Sequence, residues 1–129
     1  MTEQPFTHLD ASGQARMVDV SGKSVTVRSA TAEGLVGCPP AVVALLRSGE
    51  VPKGDVLAVA RIAGIAAAKR TADLLPLAHV IGVHAVSVDL EVVDAGVAIT
   101  ATVRAADRTG VEMEALTAVT VAALAVVDM

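Results

Sequence analysis

Two runs of strict alternation, "VHAVSVDLEVV" and "VAITATVRA", stand on either side of the short break "DAG". In the first, Val86, Val88, Leu90 and Val92 fall on every second residue, and in the second Val97, Ile99, Ala101 and Val103 do the same. A period of two puts each set of side chains on one face of a sheet. A break this short joins the two strands as an antiparallel hairpin. Any fold for this chain has to be built onto that hairpin.

The remaining elements are read from their own punctuation. The first dozen residues, ending in "DASGQ", are an irregular arm over about 1–14, after which "ARMVDVSGKSVTVRSATAEGLV" alternates Val18, Val20 and then Val25, Val27 with polar partners. That is strand patterning broken by a turn at Ser21-Gly22. "PPAVVALLRSGE" opens with proline and closes with Gly49, which predicts a short helix. From Gly54 to about Lys69 a second helix is expected, with Asp55 as its N-cap and Ala58, Ile62, Ile65 and Lys69 along one face. Its small residues would let a partner element approach closely, and Pro76 prevents its simple continuation. "VEMEALTAVTVAALAVVDM" is a closing helix despite its β-branched residues. No linker or repeat divides the chain, so 1–129 is read as one domain. The order strand, helix, helix, strand, strand, helix predicts an α+β domain whose mostly antiparallel sheet is covered by helices on one face. The other face is left for solvent or another subunit.

Composition narrows the function classes. The chain is 53% apolar but has one Phe and neither Trp nor Tyr, so its core is made of small aliphatic side chains. Surfaces of that kind must pack closely and are often completed by another copy, so an oligomer is expected. A net charge of −4 and the lack of aromatic stacking platforms argue against a nucleic-acid partner. "VLAVARIAGIAAAKR" meets Arg61 early and falls short of the ~20 apolar residues of a membrane span. The opening "MTEQPFTHLD" lacks a signal-peptide pattern, and the lone Cys38 has no intramolecular partner, so a cytoplasmic protein is expected. Cys38 itself reads first as a small buried hydrophobe.

Few residues are left to carry chemistry. Only three lysines occur, and Lys53 and Lys69 bracket the second helix, whose length of roughly 24 Å keeps them from meeting at one small group. They either serve a long ligand, meet across a subunit boundary, or are solvated lysines. Glu112 and Glu114 complement the positive end of the closing helix, which is sufficient reason for them without any function. Asp128 has no such excuse, because an anion at a helix C-terminus opposes the dipole. Glu114 and Asp128 are separated by roughly 21 Å along that helix, too far to share one reaction centre in one copy. His8, His79 and His84 show no metal-ligand spacing, and no zinc site is suggested. "GIAAAKRT" only echoes a phosphate loop, since Ala68 stands where glycine is needed. These residues alone lead to an oligomeric α+β domain that binds an anionic small molecule.

Read together, "THLDASGQARMVDVSGK", "KGDVLAVARIAGIAAAKRTADLLPLAH" and "RTGVEMEALTAVTVAAL" resemble the molybdenum cofactor biosynthesis protein C family, the cyclic pyranopterin monophosphate synthases. The resemblance covers nearly the whole chain in order. It implies a ferredoxin-like α+β subunit in a homo-hexamer built as a trimer of dimers, with active sites at subunit boundaries. It also implies conversion of a GTP-derived substrate, 3′,8-cyclo-7,8-dihydroguanosine 5′-triphosphate, into cyclic pyranopterin monophosphate with release of pyrophosphate. The substrate-binding segments would be Leu77, Ala78 and His79, and Met113 with Glu114. Asp128 matches the family's catalytic acid, Lys53 and Lys69 match lysines of the pocket, and Arg28 is added as a phosphate contact. Lys53 is the expected acid/base and Asp128 its partner. No cofactor is required by this reading, and Mg²⁺ is the ion that would assist pyrophosphate loss, with no dedicated site readable in the sequence.

The chain departs from the family pattern at Ala78, where cysteine is usual, and at Val80, where proline is usual. The family also continues past "DM" with a catalytic lysine and a glycine- and lysine-rich tail. A chain lacking that tail is expected to fold and assemble but to turn over slowly, which keeps open a second reading. In that reading the chain is a catalytically silent relative that binds a nucleotide-like ligand or partners an active copy.

Overall fold

The computed structural model describes residues 6–129, and the part of the predicted arm within 1–5 lies outside the described residues. The predicted hairpin is present. Strands β2 (Val83–Val93) and β3 (Gly96–Asp107) pair antiparallel across the turn Asp94-Ala95, with Val93 opposite Gly96. Gly96 adopts φ 145°, and a Cβ there would stand 1.9 Å from the Val36 carbonyl oxygen, so both the turn and the neighbouring strand require glycine. The neighbouring strand is β1 (Thr26–Gly37), antiparallel to β3 from Thr26 opposite Asp107 to Gly37 opposite Gly96.

The sheet order is β1-β3-β2, with β1 and β2 flanking β3 and joined to each other through helices. Helix α1 (Pro40–Ser48) carries proline in its first turn and ends at Gly49 in the left-handed region. Helix α2 (Val56–Ala68) is capped as predicted, the Asp55 carboxylate accepting from the Ala58 amide. A single turn, α3 (Thr71–Leu74), precedes Pro76, and α4 (Glu112–Asp128) closes the chain. This is the α+β arrangement of a ferredoxin-like fold, here with three strands.

Alternation along β3 decides where the core lies. Val97, Ile99, Ala101, Val103 and Ala105 are all buried beneath the helices, together with Ala32 of β1 and Val88 of β2. The opposite face carries Ser29, Glu33 and Leu35 of β1 and Ser87, Asp89 and Glu91 of β2, all exposed. One face is therefore covered by helices and the other is open, as the element order predicts.

With no large side chain to space them, the helices sit close to the sheet and to each other. A Cβ on Gly64 of α2 would lie 2.9 Å from the Ala118 carbonyl oxygen of α4, and one on Gly34 of β1 would lie 2.7 Å from Val119 Cγ1. Gly64, late in α2, meets Ala118, early in α4, while Lys53 just before α2 bonds Asp128 at the end of α4, so the two helices run antiparallel.

Two expectations are corrected. The strand patterning at Val18 and Val20 is not sheet: the residues between the isolated Leu9–Ala15 bridge and β1 form no ladder. The alternation there is nevertheless physical, since Val18 and Val20 are half-buried between exposed neighbours. Their carbonyls bond elsewhere, Val18 to the His79 ring and Val20 to the Lys23 amide. In α2 the buried face is Val56, Ala60, Gly64, Ala67 and Ala68, whereas Ile62 of the predicted stripe is 68% exposed. Small residues were selected for contact with α4, which leaves the larger Ile62 on the outside.

Candidate functional site

A cleft of about 750 Å³ opens at the end of the sheet where β3 runs into α4. Three stretches distant in sequence form it: residues 7–23, the run from Leu75 to Ile81, and the loop Thr109-Gly110 with the first turn of α4. Leu75, Pro76, Leu77, Ala78, Ile81 and Met113 supply an apolar wall, and His8, Lys23, His79, Glu112 and Glu114 supply the ionisable groups. An apolar wall with a few convergent polar groups is the usual make-up of a small-molecule site.

His79 answers to a particular partner. Its Nε2 lies 2.5 Å from the Val18 carbonyl oxygen, which can only accept, so the proton of a neutral ring is on Nε2. Nδ1 is then the acceptor in the neutral ring, the atom able to take a proton. The same hydrogen bond ties the 7–23 segment down as the cleft's outer wall. That segment is folded on itself by an Asp10 carboxylate that accepts from the Ser12 hydroxyl and from the Gln14 and Ser12 amides, which holds it below the usual aspartate range. A second turn follows, in which the Ser21 amide bonded to Asp19 precedes Lys23.

Glu114 is the most unusual group in the site. It is only 4% exposed, and its Oε2 has no hydrogen-bond partner among the described residues. Burial pushes its pKa up, its own backbone amide opposes this, the nearby charges of Glu112 and Asp107 add to the rise, and His79 opposes it. The carboxyl is therefore biased toward its protonated, hydrogen-bond-donating form.

Five of the predicted residues, Leu77, Ala78, His79, Met113 and Glu114, meet in this cleft. Arg28 stands beside it and is turned to the backbone, donating from Nε to the Asp107 carbonyl at 3.1 Å and thereby bracing the strand end that leads into Thr109. Lys69 is the C-cap of α2 and does not line the cleft. Lys53 and Asp128 form a separate group at the far end of α4, where Lys53 Nζ donates to the Asp128 main-chain carbonyl at 2.5 Å. Cys38 is half-buried, at the hairpin-turn end of the sheet.

Sequence reasoning missed the part played by residues 7–23 and by Glu112. The third lysine, Lys23, was the available signal: in a chain with so few, one placed after an Asp-x-Ser-Gly turn is presented by that turn. Among the described residues no three or more His, Cys, Asp or Glu side chains gather where they could hold a metal ion. No helix among them is long and apolar enough to cross a membrane.

The fold and the cleft define a ferredoxin-like α+β protein with a cleft of small-molecule size lined by both acidic and basic side chains. Residues 17–129 match the profile of the MoaC family, and the chain belongs to that family. A cyclic pyranopterin monophosphate synthase from Streptomyces coelicolor is 67% identical over 124 residues, a match covering 96% of this chain and 73% of that protein. The synthase of the same name from a Nocardioides species is 63% identical over 134 residues, covering all of this chain and 82% of the relative. That of Chloroflexus aggregans is 58% identical over 126 residues, covering 96% and 76%.

Proposed function

We propose that this chain is a cyclic pyranopterin monophosphate synthase of molybdenum cofactor biosynthesis, a lyase that converts 3′,8-cyclo-7,8-dihydroguanosine 5′-triphosphate to cyclic pyranopterin monophosphate and pyrophosphate. The observation that carries this reading is the meeting of His79, Met113 and Glu114 in one cleft, in a chain so similar to proteins of that name.

In this reading the apolar wall receives the purine-derived rings, and Glu114 in its protonated form donates to a ligand oxygen. His79 accepts a proton at Nδ1 while Nε2 stays bonded to Val18. Lys23 and His79 face the phosphates, whose leaving pyrophosphate gains negative charge and needs fixed cations. Arg28 contributes by fixing the strand end before Thr109, and Lys69, outside the cleft of its own copy, serves phosphate only from a second copy. Lys53 and Asp128 are the acid/base pair. They stand about 21 Å along α4 from Glu114, so a second copy must bring them to the cleft.

Assembly as a homo-hexamer, a trimer of dimers, meets that requirement. It is supported by the exposed apolar side chains of the helices, Ile62 at 68%, Leu124 at 62% and Val127 at 72%. The protein acts in the cytoplasm, without a nucleic-acid or membrane partner. No cofactor is required; Mg²⁺ arrives with the triphosphate, and no step above is routed through it.

The test is to incubate the purified chain with the cyclised triphosphate and to measure pyrophosphate together with the pterin product. Stoichiometric formation of both is expected. Absence of both would overturn the reading, and tight binding without release would leave the catalytically silent relative.

A further inference from the structure

The ladder between β2 and β3 slips once. From Val93 opposite Gly96 to Ala85 opposite Arg104 the partners advance in step, but Val83 lies opposite Ala105, so His84 is an extra residue in β2. That is a β-bulge, which interrupts the ladder and aims its side chain in a new direction. It falls where the two strands part. Upstream of β2 the chain forms the His79 wall of the cleft, and beyond β3 it becomes the loop Thr109-Gly110.

Two side chains bridge the interruption. The Ala106 amide, which can only donate, bonds to His84 Nδ1 at 3.3 Å. The Gly82 amide donates to Asp107 Oδ2 at 3.4 Å, while Asp107 Oδ1 accepts from the Arg108 amide at 2.7 Å. One bond thus runs from β3 backbone to a β2 side chain, and the other from the backbone before β2 to a β3 side chain. Both are longer than the usual ~2.9 Å and weak singly, but they cross the same junction in opposite senses. From the other flank, Arg28 of β1 donates to the Asp107 and Arg108 carbonyls at 3.1 and 3.5 Å. The end of β3 is therefore held from both sides where it enters the cleft. His84 is exposed and Asp107 half-buried, so core packing places neither side chain.

We propose that His84 and Asp107 are positioning residues of the cleft: as side-chain acceptors across the bulge, they fix the run from Leu77 to Ile81 against the loop Thr109-Gly110, and so His79 against Glu114. Neither residue lines the cleft, and both act through the walls they join. Those walls hold ligand before and during the reaction alike, so slackening the junction raises KM with little change in kcat. This deepens the reading of the cleft as the substrate site and rests on it only for the change in KM.

The test compares the full chain with His84→Ala, His84→Asn and Asp107→Asn. Asparagine at 84 puts a carbonyl oxygen where Nδ1 stands and keeps the acceptor without the ring, whereas asparagine at 107 keeps the shape with one acceptor oxygen instead of two. In NMR-detected amide exchange without ligand, Ala106 should exchange about fivefold faster in His84→Ala, and Gly82 about fivefold faster in Asp107→Asn, each for the loss of one hydrogen bond. The amide shifts of His79 and Gly110 should move together in both variants. For pyrophosphate release from the cyclised triphosphate, KM should rise about fivefold in the same two variants at unchanged kcat. His84→Asn should match the wild type in every readout. Unchanged exchange at Ala106 and Gly82 overturns the proposal, as does faster exchange with His79 and Gly110 unmoved or with KM unchanged. A His84→Asn variant that behaves as His84→Ala also overturns it. A wild-type chain that releases no pyrophosphate removes the functional reading, and exchange and shifts then decide the positioning role alone.

Discussion

Lys53 reaches the last turn of α4 and bonds the Asp128 carbonyl, while Glu114 occupies the first turn of the same helix. One element thus carries Glu114 at one end and the Lys53-bonded Asp128 at the other, about 21 Å apart. If copies share sites, His79→Ala and Lys53→Ala should each be inactive alone but recover pyrophosphate release when unfolded together and reassembled. A mixture no better than its parents would remove the shared site. Lys53→Ala should also lose about 0.3–1 kcal/mol of stability, because its cation caps the negative end of α4.

Cutting the His79–Val18 hydrogen bond should loosen the outer wall of the cleft and little else. In His79→Ala, amides of Arg16–Val20 should exchange with solvent about fivefold faster, the equivalent of roughly 1 kcal/mol. Amides of β3 should be unaffected. Hydrogen exchange read by mass spectrometry distinguishes these outcomes, and uniform acceleration would mean that the imidazole supports the whole fold instead.

Glu114 makes stability depend on pH with a definite sign. Its folded pKa lies above the ordinary glutamate value of 4.5, so between the two values the native chain binds more protons than the unfolded one. Its favourable contribution is complete below the unfolded value and is lost as pH rises through the folded one. Melting temperatures across this range should therefore fall less steeply with rising pH in Glu114→Gln than in the wild type. An identical slope would show that the group ionises as freely as an exposed glutamate.

Gly64→Ala pits helix propensity against space. Alanine gains up to about 1 kcal/mol over glycine in a helix interior, but here its methyl group meets the backbone of α4 at Ala118. Overpacking against backbone costs about 1–3 kcal/mol. A net loss on the order of 1 kcal/mol is expected in urea unfolding, against almost none for Gly22→Ala, whose added carbon meets nothing within 4 Å.

Much of this fold is legible because its strands alternate without interruption. Val86 to Val92 and Val97 to Val103 define the hairpin and its buried face, and Asp55 and Gly49 mark helix ends by local hydrogen bonding that needs no tertiary information. Val18 and Val20 misled because alternation reports burial, whereas strand identity depends on who takes the backbone bonds, and here a histidine ring takes one of them. Ile62 misled because in a core this thin the closest contacts belong to glycine and alanine, so hydrophobic size ceases to indicate the inside. Of the site, His79, Met113 and Glu114 were found through the resemblance. Lys23 and Glu112 required knowing that 7–23 folds back over the cleft and that the first turn of α4 lines it.

Helix α4 is gripped midway by Gly34 on one side and Gly64 on the other, with no slack at either contact. A helix held in this manner has no freedom to slide or tilt, so it behaves as a gauge block whose two tips are machined to a set interval. In the proposed hexamer, copies that align the tip of one block with the opposite tip of another would inherit their spacing from those two missing side chains.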